Sequence, residues 1–575
     1  MGEISQGQRP SWEVVAKEHA AEQLNNIPAA WRLPKDTLGW LSGVGTADEG
    51  RLIRLQAARQ SGLLSDRELD ITEKHTARDL LPKLAARQLT SVEVTVAFCK
   101  RAALAQQLVG TGSFISLCTS CLTEIFFDEA IERAKEADRY LEENGKVRGP
   151  LHGLPISMKD SFVVKGRHAT VGYVEYLRQP LPEGESTLVK LLQDAGAILY
   201  CKTNVPQTMM TADSENNIFG RTLNPHNTQL NAGGSTGGEG ALLAFRGSPL
   251  GVGTDIAGSI RIPAACCGIY GFKPTADRVP FGGQNACPFP RNRLPGIVPA
   301  AGPMANTLAD LRLFMDVVVS EGRPWTYDGT TIDIPWRKLA SPNPNNHKLV
   351  VGIAPEDEEF RLHPPVKRTI EDAARKLEAA GHTVVRLPTD PSRSIALGGR
   401  LAFAFYGLEG HPSNAEMEAE FGEPLVKSLA VGVHPFARNP PPLAPHWSEA
   451  KKVAEWHRLR GEYCDSWRRA WLEHRLDVVL APGAISTAVP HDAFGVPVYT
   501  AAWNVTNYPA CIIPYGSSSK ALDPSPMKGH AAFDADYNPE LQDDAPCAIQ
   551  VITPTFKDEE CLHAAFIIDE VLNGA

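Results

Sequence analysis

Two serines in a glycine-rich stretch are the residues of this chain best suited to nucleophilic chemistry. Residues 231–275 contain Ser235 and Ser259, and eleven glycines lie between Ala232 and Phe272. Glycine is costly inside regular elements, so this density indicates backbone at positive φ or backbone that another group approaches closely. The stretch is therefore the first candidate for a catalytic site.

The residues before Ser259 favour it as the nucleophile. A short strand is predicted over Leu250–Asp255, and only Ile256, Ala257 and Gly258 separate that strand from the serine. Small residues at such a turn allow several backbone N–H groups to converge beside the serine hydroxyl, which is the geometry of an oxyanion hole. The pattern predicts a serine that attacks a carbonyl carbon.

A serine nucleophile needs a base, and a lysine is the best candidate for that role. None of the sixteen histidines is close in sequence to either serine, the nearest being His226. Lys159 ends an apolar, strand-like run at 153–159, where burial would lower the pKa of its ammonium group toward neutrality. A histidine brought in from a distant part of the chain stays open as the alternative base.

Two other interpretations of the glycines fit less well. A phosphate cradle would present backbone N–H groups before a helix at 240–244, but no Lys-Ser/Thr pair closes the loop. A nucleophile elbow at Ser235, within the G-x-S-x-G match at 233–237, requires a buried strand directly before the serine. Residues 224–230 are instead predicted to form a loop. The sequence therefore favours Ser259 over a nucleotide site and over an α/β-hydrolase.

The elements that must position these groups alternate between strands and helices. Strand–helix–strand order with short connections predicts parallel pairing in an α/β sheet that helices cover on both faces. One predicted helix starts at Thr90, which forms a capping box with Glu93, and a second covers roughly 123–143. A third starts at the cap Ser186 and is stopped by Gly196, and a fourth, over about 366–377, is ended by Gly381. The predicted strands lie at 197–200, 349–354, 383–387, 476–481 and 510–514.

Composition and charge exclude several classes of protein. The 575 residues are 43% hydrophobic and 22% charged, which is globular composition, and the net charge of −10 argues against a general nucleic-acid binder. The first residues, MGEISQGQRP, contain no apolar signal-peptide core, and no run of about 18 apolar residues could span a membrane. A cytoplasmic protein is expected.

The cysteines do not form a recognisable metal site. Eleven cysteines are scattered along the chain, with Cys118 and Cys121 as a lone Cys-x-x-Cys pair and Cys266 and Cys267 adjacent. Without a second such pair or a paired histidine run, zinc is not predicted, and reduced thiols are expected. The sequence predicts no metal and no other cofactor.

Five motifs in a fixed order resemble the amidase signature family, in particular its branch of fungal acetamidases and general amidases, and are similar to fatty acid amide hydrolase. The resemblance covers roughly residues 85–565 and is most specific over 150–275. The motifs are GLPISMKD at 153–160, KTN at 202–204, GGSTGG at 233–238, TDIAGSIR at 254–261 and GFKPT at 271–275.

The resemblance implies a Ser–Ser–Lys triad. Ser259 would attack the amide carbonyl, and Ser235, which often follows a cis peptide bond in this family, would relay a proton between Ser259 and Lys159. Because an amine leaves only when protonated, one relay can serve first as base and then as acid. The product of the first half-reaction would be an acyl-enzyme.

The resemblance also implies an oxyanion hole formed by the backbone amides of Ile256, Ala257, Gly258 and Ser259. Many relatives have glycine where this chain has Ala257, so the alanine would be strained if that position required positive φ. Asp255 and Arg261, which flank the nucleophile, are expected to form an internal ion pair that holds the loop. The residues expected to bind substrate are Met209, Met210, Gly233, Gly234, Tyr499 and Trp503.

The predicted fold is an α/β amidase-signature fold with a large, twisted, mixed sheet. An N-terminal helical arm is expected over 1–85 and the amidase signature domain over 86–575, with an irregular helical excursion at about 395–475. The predicted function is hydrolysis of a neutral small or hydrophobic carboxamide, with release of ammonia or an amine. The alternatives are an amidotransferase-type subunit and a non-catalytic binding protein on the same scaffold. The expected partners are a small amide and, as an alternative to a monomer, a second copy in a homodimer.

Overall fold

An eleven-stranded mixed sheet organises the fold. In the order of their hydrogen bonding its strands are β1-β3-β2-β8-β10-β9-β14-β15-β13-β11-β12, and two short hairpins, β4-β5 and β6-β7, lie outside it. The strands are β1 (Leu122–Ile125), β2 (Pro155–Lys159), β3 (Ile198–Thr203), β4 (Glu215–Asn216), β5 (Gly220–Arg221), β6 (Leu223–Asn224), β7 (Asn227–Asn231), β8 (Leu250–Asp255), β9 (Tyr270–Lys273), β10 (Ala300–Ala305), β11 (Val350–Ile353), β12 (Thr383–Arg386), β13 (Val478–Pro482), β14 (Ala510–Ser517) and β15 (Pro546–Ile552).

These elements come from a computed structural model of the 575-residue chain. It describes residues 10–108, 121–285, 296–339, 348–407, 418, 422–431, 436, 439–529 and 534–574.

Helices connect the strands. They are α1 (Trp12–Asn25), α2 (Lys35–Leu41), α3 (Ala57–Gln60), α4 (Asp66–Lys74), α5 (Ala77–Ala85), α6 (Ser91–Leu108), α7 (Phe127–Asn144), α8 (Thr187–Asp194), α9 (Gly237–Ala244), α10 (Arg261–Cys267), α11 (Leu308–Met315), α12 (Pro364–Ala379), α13 (Ile395–Tyr406), α14 (Lys427–Val431), α15 (Glu449–Glu473), α16 (Val498–Val505) and α17 (Asp558–Asn573).

Parallel and antiparallel pairs occupy different parts of the sheet. Strand β2 is parallel to β3 and β8, and β11 is parallel to β12 and β13. Between these two groups, β8, β10, β9, β14, β15 and β13 pair antiparallel. The predicted α/β class and the mixed sheet are confirmed, and the two predicted strand–helix–strand units do form parallel pairs.

The helix signals mark the observed boundaries well. Thr90 and Glu93 form the predicted reciprocal cap, with the Thr90 N–H donating to Glu93 at 2.8 Å and the Glu93 N–H donating to Thr90 Oγ1 at 3.0 Å. Gly196 and Gly381 follow α8 and α12 with φ of 94° and 87°. Glycine tolerates this left-handed backbone, which L side chains rarely adopt, and so both helices end where the sequence predicted.

Two local predictions were wrong. Residues 123–125, the start of the segment expected to be helical, belong instead to β1, whose four residues are all buried and which pairs with β3 at the sheet edge. Residues 224–230, expected to be a loop, form most of the β6-β7 hairpin. Residues 122–125 form a strand because they pair with β3, which is distant in sequence. The local helical pattern contains no signal of that pairing. The hairpin does not belong to the main sheet, so Ser235 still lacks the central strand that a nucleophile elbow requires.

The helices of the first 85 residues share their apolar core with the rest of the chain. Ile27, Leu41 and Leu69 pack in one cluster with residues of α6 and α7, and Leu80 and Leu84 belong to the cluster around β2 and β8. The proposed division into an arm and a signature domain thus stays a prediction about domain organisation. In the described ranges, no helix has the length and apolarity needed to cross a membrane.

Candidate active site

Lys159 and Ser235 are in direct contact. The Lys159 Nζ donates to Ser235 Oγ at 2.8 Å and also to Thr254 Oγ1 at 2.8 Å. Lys159 is the last residue of β2, Ser235 lies just before α9, and Thr254 lies in β8, so three separate elements meet here. The lysine is fully buried and Ser235 is buried as well.

Burial changes the acid–base behaviour of Lys159. Removing an ammonium group from water disfavours its charged form, and this lowers the pKa of Lys159 from its usual 10.5 to about 7. The nearby carboxylates of Asp255 and Asp160 act in the opposite direction but do not offset the loss of hydration. A lysine with a pKa near neutrality exists in both protonation states at physiological pH and can accept a proton.

Tight backbone packing holds the Ser235 loop. The peptide bond between Gly234 and Ser235 is cis. A Cβ atom on Gly234 would lie 2.4 Å from the carbonyl oxygen of Thr211, closer than real Cβ atoms approach backbone. Glycine is therefore required at residue 234, where the loop passes the segment that carries Met209 and Met210.

Asp255 organises the loop that follows β8. Its carboxylate accepts hydrogen bonds from the backbone N–H groups of Gly258 at 2.9 Å and Ile260 at 3.1 Å, and from Asn504 Nδ2 at 3.0 Å. The expected ion pair with Arg261 is confirmed, with 2.9 Å between Nη2 and Oδ1 and both side chains fully buried. Because Arg261 lies beside it, the pKa of Asp255 is held well below its usual range. The charged pair fixes the backbone next to Ser259.

The amides expected to form the oxyanion hole differ in their availability. The Gly258 N–H already donates to Asp255, whereas no hydrogen bond of the N–H groups of Ile256, Ala257 or Ser259 is recorded within the described residues. Of the four expected donors, the Gly258 N–H is thus already engaged, and the oxyanion hole of four amides stays a prediction. Ala257 is not at positive φ and carries none of the expected strain, while Gly258 has a φ of +127°.

Two hydroxyl groups from distant helices hold the carbonyl groups of the same loop. The Tyr406 hydroxyl donates to the Ile256 carbonyl oxygen at 2.6 Å, and Thr500 Oγ1 donates to the Ala257 carbonyl oxygen at 2.5 Å. In a trans peptide the C=O group and the N–H group of the next residue point in opposite directions. The bond that holds the Ile256 carbonyl therefore also fixes the direction of the Ala257 N–H. Tyr406 and Thr500 were missed by the sequence analysis, because no local pattern connects α13 and α16 with the loop after β8.

Ser259 faces a cavity of about 100 Å³. Its lining combines apolar side chains with carboxylates and hydroxyls. The lining residues are Met209, Met210, Thr211, Ala212, Asp213, Gly234, Ile256, Ala257, Ser259, Ile262, Phe403, Tyr406, Ser428, Asp492, Phe494, Gly495, Val496 and Pro497.

The predicted substrate-binding residues divide into two groups. Met209, Met210 and Gly234 line the cavity as expected. Gly233 does not belong to its lining, and a Cβ atom there would lie 2.8 Å from Cα of Pro263. Its place in the loop thus depends on close packing against α10.

Tyr499 and Trp503 do not line this cavity, and that expectation is corrected. The Tyr499 hydroxyl donates to the Phe360 carbonyl oxygen at 2.9 Å, and the Trp503 ring packs 4.8 Å from the ring of Trp467. Both side chains are almost fully buried in the apolar core beside α15 and α16. An aromatic residue near a site is as well suited to a core as to a pocket, so residue type alone could not decide this point.

A buried carboxylate of α9 lies beside β2. Glu239 of α9 accepts hydrogen bonds from Thr203 Oγ1 at 2.8 Å and from the Ser157 hydroxyl. Full burial raises the pKa of Glu239 to about 7. Ser157 lies two residues before Lys159 in the same strand, so Glu239 supports the strand that carries the lysine.

No group of three or more His, Cys, Asp or Glu side chains in the described ranges could hold a metal ion. The described cysteines are free thiols, and all but Cys464 are buried. Cys118, one half of the Cys-x-x-Cys pair, lies outside the described residues.

Comparison with known proteins identifies the family. The family model described as Amidase matches residues 93–562. The chain is 37% identical to an "Amidase" of Gibberella moniliformis over 98% of this chain and 99% of that protein, and 36% identical to an "Acetamidase" of Emericella nidulans over the same shares. Its structure matches that of a "Fatty acid amide hydrolase" with a TM-score of 0.83 and 28% identity, over 97% of this chain and 95% of the other. The chain belongs to the Amidase family and is an amide hydrolase.

Proposed function

We propose that the chain hydrolyses neutral carboxamides through an acyl-enzyme on Ser259, with Ser235 and Lys159 as the proton relay. The observation that carries this proposal is the 2.8 Å contact between the buried Lys159 Nζ and Ser235 Oγ. Neutral Lys159 has two N–H bonds and one lone pair. It can therefore donate to Thr254 while accepting the Ser235 proton.

The first half-reaction forms an ester and releases the amine. Ser259 Oγ bonds to the carbonyl carbon as its proton passes to Ser235 and the Ser235 proton passes to Lys159. The oxyanion is stabilised by the N–H groups of Ile256, Ala257 and Ser259. The C–N bond then breaks, and the nitrogen takes a proton that Lys159 returns through Ser235.

The second half-reaction regenerates the enzyme. A water molecule loses a proton to the same relay and attacks the ester carbonyl carbon. The bond to Ser259 Oγ breaks, the oxygen is reprotonated, and the carboxylic acid leaves. The sum is one amide and one water converted to one acid and one amine, with no redox change and no co-reactant.

The cavity supports a neutral, small or hydrophobic acyl group. Apolar groups such as Met209, Met210 and Phe403 line it, and its size is comparable with that of an engineered cavity of about 150 Å³ that binds benzene. The carboxylates of Asp213 and Asp492 also line it. Arg221, 2.6 Å from Asp492, and Lys427, 3.4 Å from it, balance part of that negative charge. No Lys, Arg or His among the described residues lines the cavity to pair with a substrate carboxylate, so short aliphatic or aryl amides are the favoured class.

The test of this function is chemical capture of the acyl-enzyme. Incubation with a fluorophosphonate or a slowly turned-over amide, followed by intact mass measurement and peptide mapping, should give a single adduct on Ser259. Ser259→Ala should give none. An adduct on Ser235 in the wild-type protein would overturn the assignment of the nucleophile, and an inert wild-type protein would favour a non-catalytic binding role.

A further inference from the structure

One residue of the cavity lining, Ser428, comes from a short segment that is docked by a buried carboxylate. We call residues 422–431 the docked segment; it contains α14. Glu423 is 2% exposed and accepts hydrogen bonds from the backbone N–H of Val174 and from Gln207 Nε2, each at 2.6 Å. Asn217 Nδ2 donates to the Pro424 carbonyl oxygen at 2.6 Å. The segment is thus bonded to three separate parts of the chain.

Further contacts place the docked segment beside Asp492 and beside the turn that carries Met209. The Val426 N–H donates to Gln207 Oε1 at 2.9 Å, and Lys427 Nζ lies 3.4 Å from Asp492 Oδ2. Gln207 begins the turn that leads to Met209, and Asp492 lines the cavity. These contacts hold residues 426 and 427 against residues of the site.

The docked segment brings an unsatisfied hydroxyl to the cavity. Ser428 lines the cavity and is 7% exposed, yet its Oγ has no hydrogen-bond partner among the described residues. Leaving a buried hydroxyl without a partner is energetically costly, so such groups are rare unless a ligand or water completes them.

A second unsatisfied atom belongs to the same lining. Asp213 is 2% exposed, and its Oδ2 accepts from the backbone N–H of Asp492 at 2.7 Å. Its Oδ1 has no partner within the described ranges. A carboxylate oxygen only accepts hydrogen bonds, and a serine hydroxyl both accepts and donates. Together they suit a group that offers a hydrogen to an oxygen.

We propose that Ser428 and Asp213 form a subsite for a hydrogen-bond-donating group, such as a hydroxyl or a second amide N–H, that the substrate carries in addition to the scissile amide. This inference rests on the proposed function of the Ser259 site. It narrows the substrate class from neutral amides in general to neutral amides with a polar group at a defined distance from the scissile bond. Glu423 is the positioning residue of this subsite, because it holds the segment that delivers Ser428.

The experiment compares matched substrates on matched variants. The ratio of kcat/KM is measured for 2-, 3- and 4-hydroxybutanamide against butanamide. In the wild-type enzyme at least one hydroxy isomer should exceed butanamide by about tenfold, the gain expected from one hydrogen bond to a buried group. Ser428→Ala should bring that ratio close to one, and Ser428→Thr, which keeps a hydroxyl, should retain part of the preference.

Ser91→Ala is the matched control. Ser91 Oγ is likewise buried and without a partner among the described residues, but Ser91 does not line the cavity. Its variant should keep the wild-type ratio. A wild-type enzyme that hydrolyses butanamide at least as well as all three hydroxy isomers overturns the subsite, and so does a Ser428→Ala enzyme with the wild-type preference. Failure to hydrolyse any amide instead refutes the proposed function itself.

The positioning role of Glu423 has its own readout. Glu423→Ala should lower the hydroxy preference to the level of Ser428→Ala and raise KM more than it lowers kcat, because the reacting groups at Ser259 are left in place. Glu423→Gln keeps the volume and one acceptor oxygen, and its ratio should lie between those of wild type and Ser428→Ala. The Gln variant decides the point if the Ala variant does not fold. The positioning role is refuted if both Glu423 variants keep the wild-type ratio of kcat/KM for hydroxybutanamide against butanamide. Where Glu423→Ala is insoluble, a wild-type ratio in Glu423→Gln alone refutes it.

Discussion

The Nζ of Lys159 lies 2.8 Å from Ser235 Oγ, although the two residues are 76 positions apart in the chain. The lysine ends the buried strand β2, and the serine lies in the loop that enters α9. This contact joins a base whose pKa is near neutrality to the hydroxyl group expected to relay protons. The acid–base behaviour of the enzyme should follow from it.

Activity should rise with pH and level off at mildly alkaline values. Only neutral Lys159 accepts a proton, and its pKa of about 7 places the half-maximal kcat/KM near pH 7. Lys159→Ala should lose about 10²–10⁴-fold in kcat/KM while the melting temperature shows a folded protein. Lys190→Ala, at a lysine that is 63% exposed on α8, is the control and should be fully active. Retained activity in Lys159→Ala, combined with its loss in a histidine variant, would refute the assignment.

Glu239 should make the fold less stable as pH rises through neutrality. Its folded pKa of about 7 lies above the usual 4.5, so its favourable contribution is complete below pH 4.5 and is lost as pH rises through 7. Glu239→Gln stays neutral and escapes that loss. The free energy of unfolding of the variant, relative to wild type, should therefore increase by on the order of 3 kcal/mol between pH 5 and pH 9.

Denaturant unfolding at several pH values measures this difference. Glu136→Gln, on the exposed surface of α7, is the control and should track the wild-type curve. A Glu239→Gln difference that does not change with pH, or that falls as pH rises, contradicts the prediction.

Exchange between glycine and alanine should affect kcat/KM strongly at residue 258 and hardly at residue 257. A Cβ atom on Gly258 would lie 2.2 Å from Thr500 Oγ1 at a φ of +127°, so Gly258→Ala must displace the loop and should lower kcat/KM by at least 10²-fold. Ala257 has no positive φ to relieve, and Ala257→Gly should stay within about threefold of wild type. Steady-state kinetics with one amide measures both. Near-normal activity of Gly258→Ala would show that the loop does not need its present backbone.

Substrate preference should follow charge. We expect acetamide, hexanoamide and benzamide each to give a higher kcat/KM than glutamine, because no Lys, Arg or His among the described residues lines the cavity to pair with a substrate carboxylate. Release of ammonia, measured for all four compounds under one set of conditions, tests this. Glutamine as the best substrate would contradict the prediction and favour the amidotransferase alternative.

Chelation should leave the rate unchanged. The proposed relay uses only Lys159, Ser235 and Ser259, and the mechanism has no step for a metal ion. The rate is measured before and after prolonged dialysis against a strong chelator. Activity that is lost in this treatment and restored only by zinc would refute the metal-free mechanism.

The sequence alone singled out the three residues that are proposed to do chemistry. Lys159, Ser235 and Ser259 lie in short motifs whose glycines and small residues leave few backbone conformations open, so the local sequence carries most of the information. The strands on either side of α8 and of α12 were equally readable, because caps, glycine stops and apolar runs are local signals. The homodimer and the domain boundary at residue 85 stay predictions.

Only the tertiary structure decided what surrounds those groups. Tyr406, Thr500 and Asn504 reach Asp255 and the loop after it from helices more than 140 residues away, and Ser428 reaches the cavity from the docked segment that Glu423 holds. Tyr499 and Trp503 were expected in the cavity but pack in the core. Periodicity and residue type report which side chains prefer burial, not which distant surfaces meet. The lining of the cavity is therefore set by packing between segments remote in sequence, and it could not be obtained from the motifs that define the reacting groups.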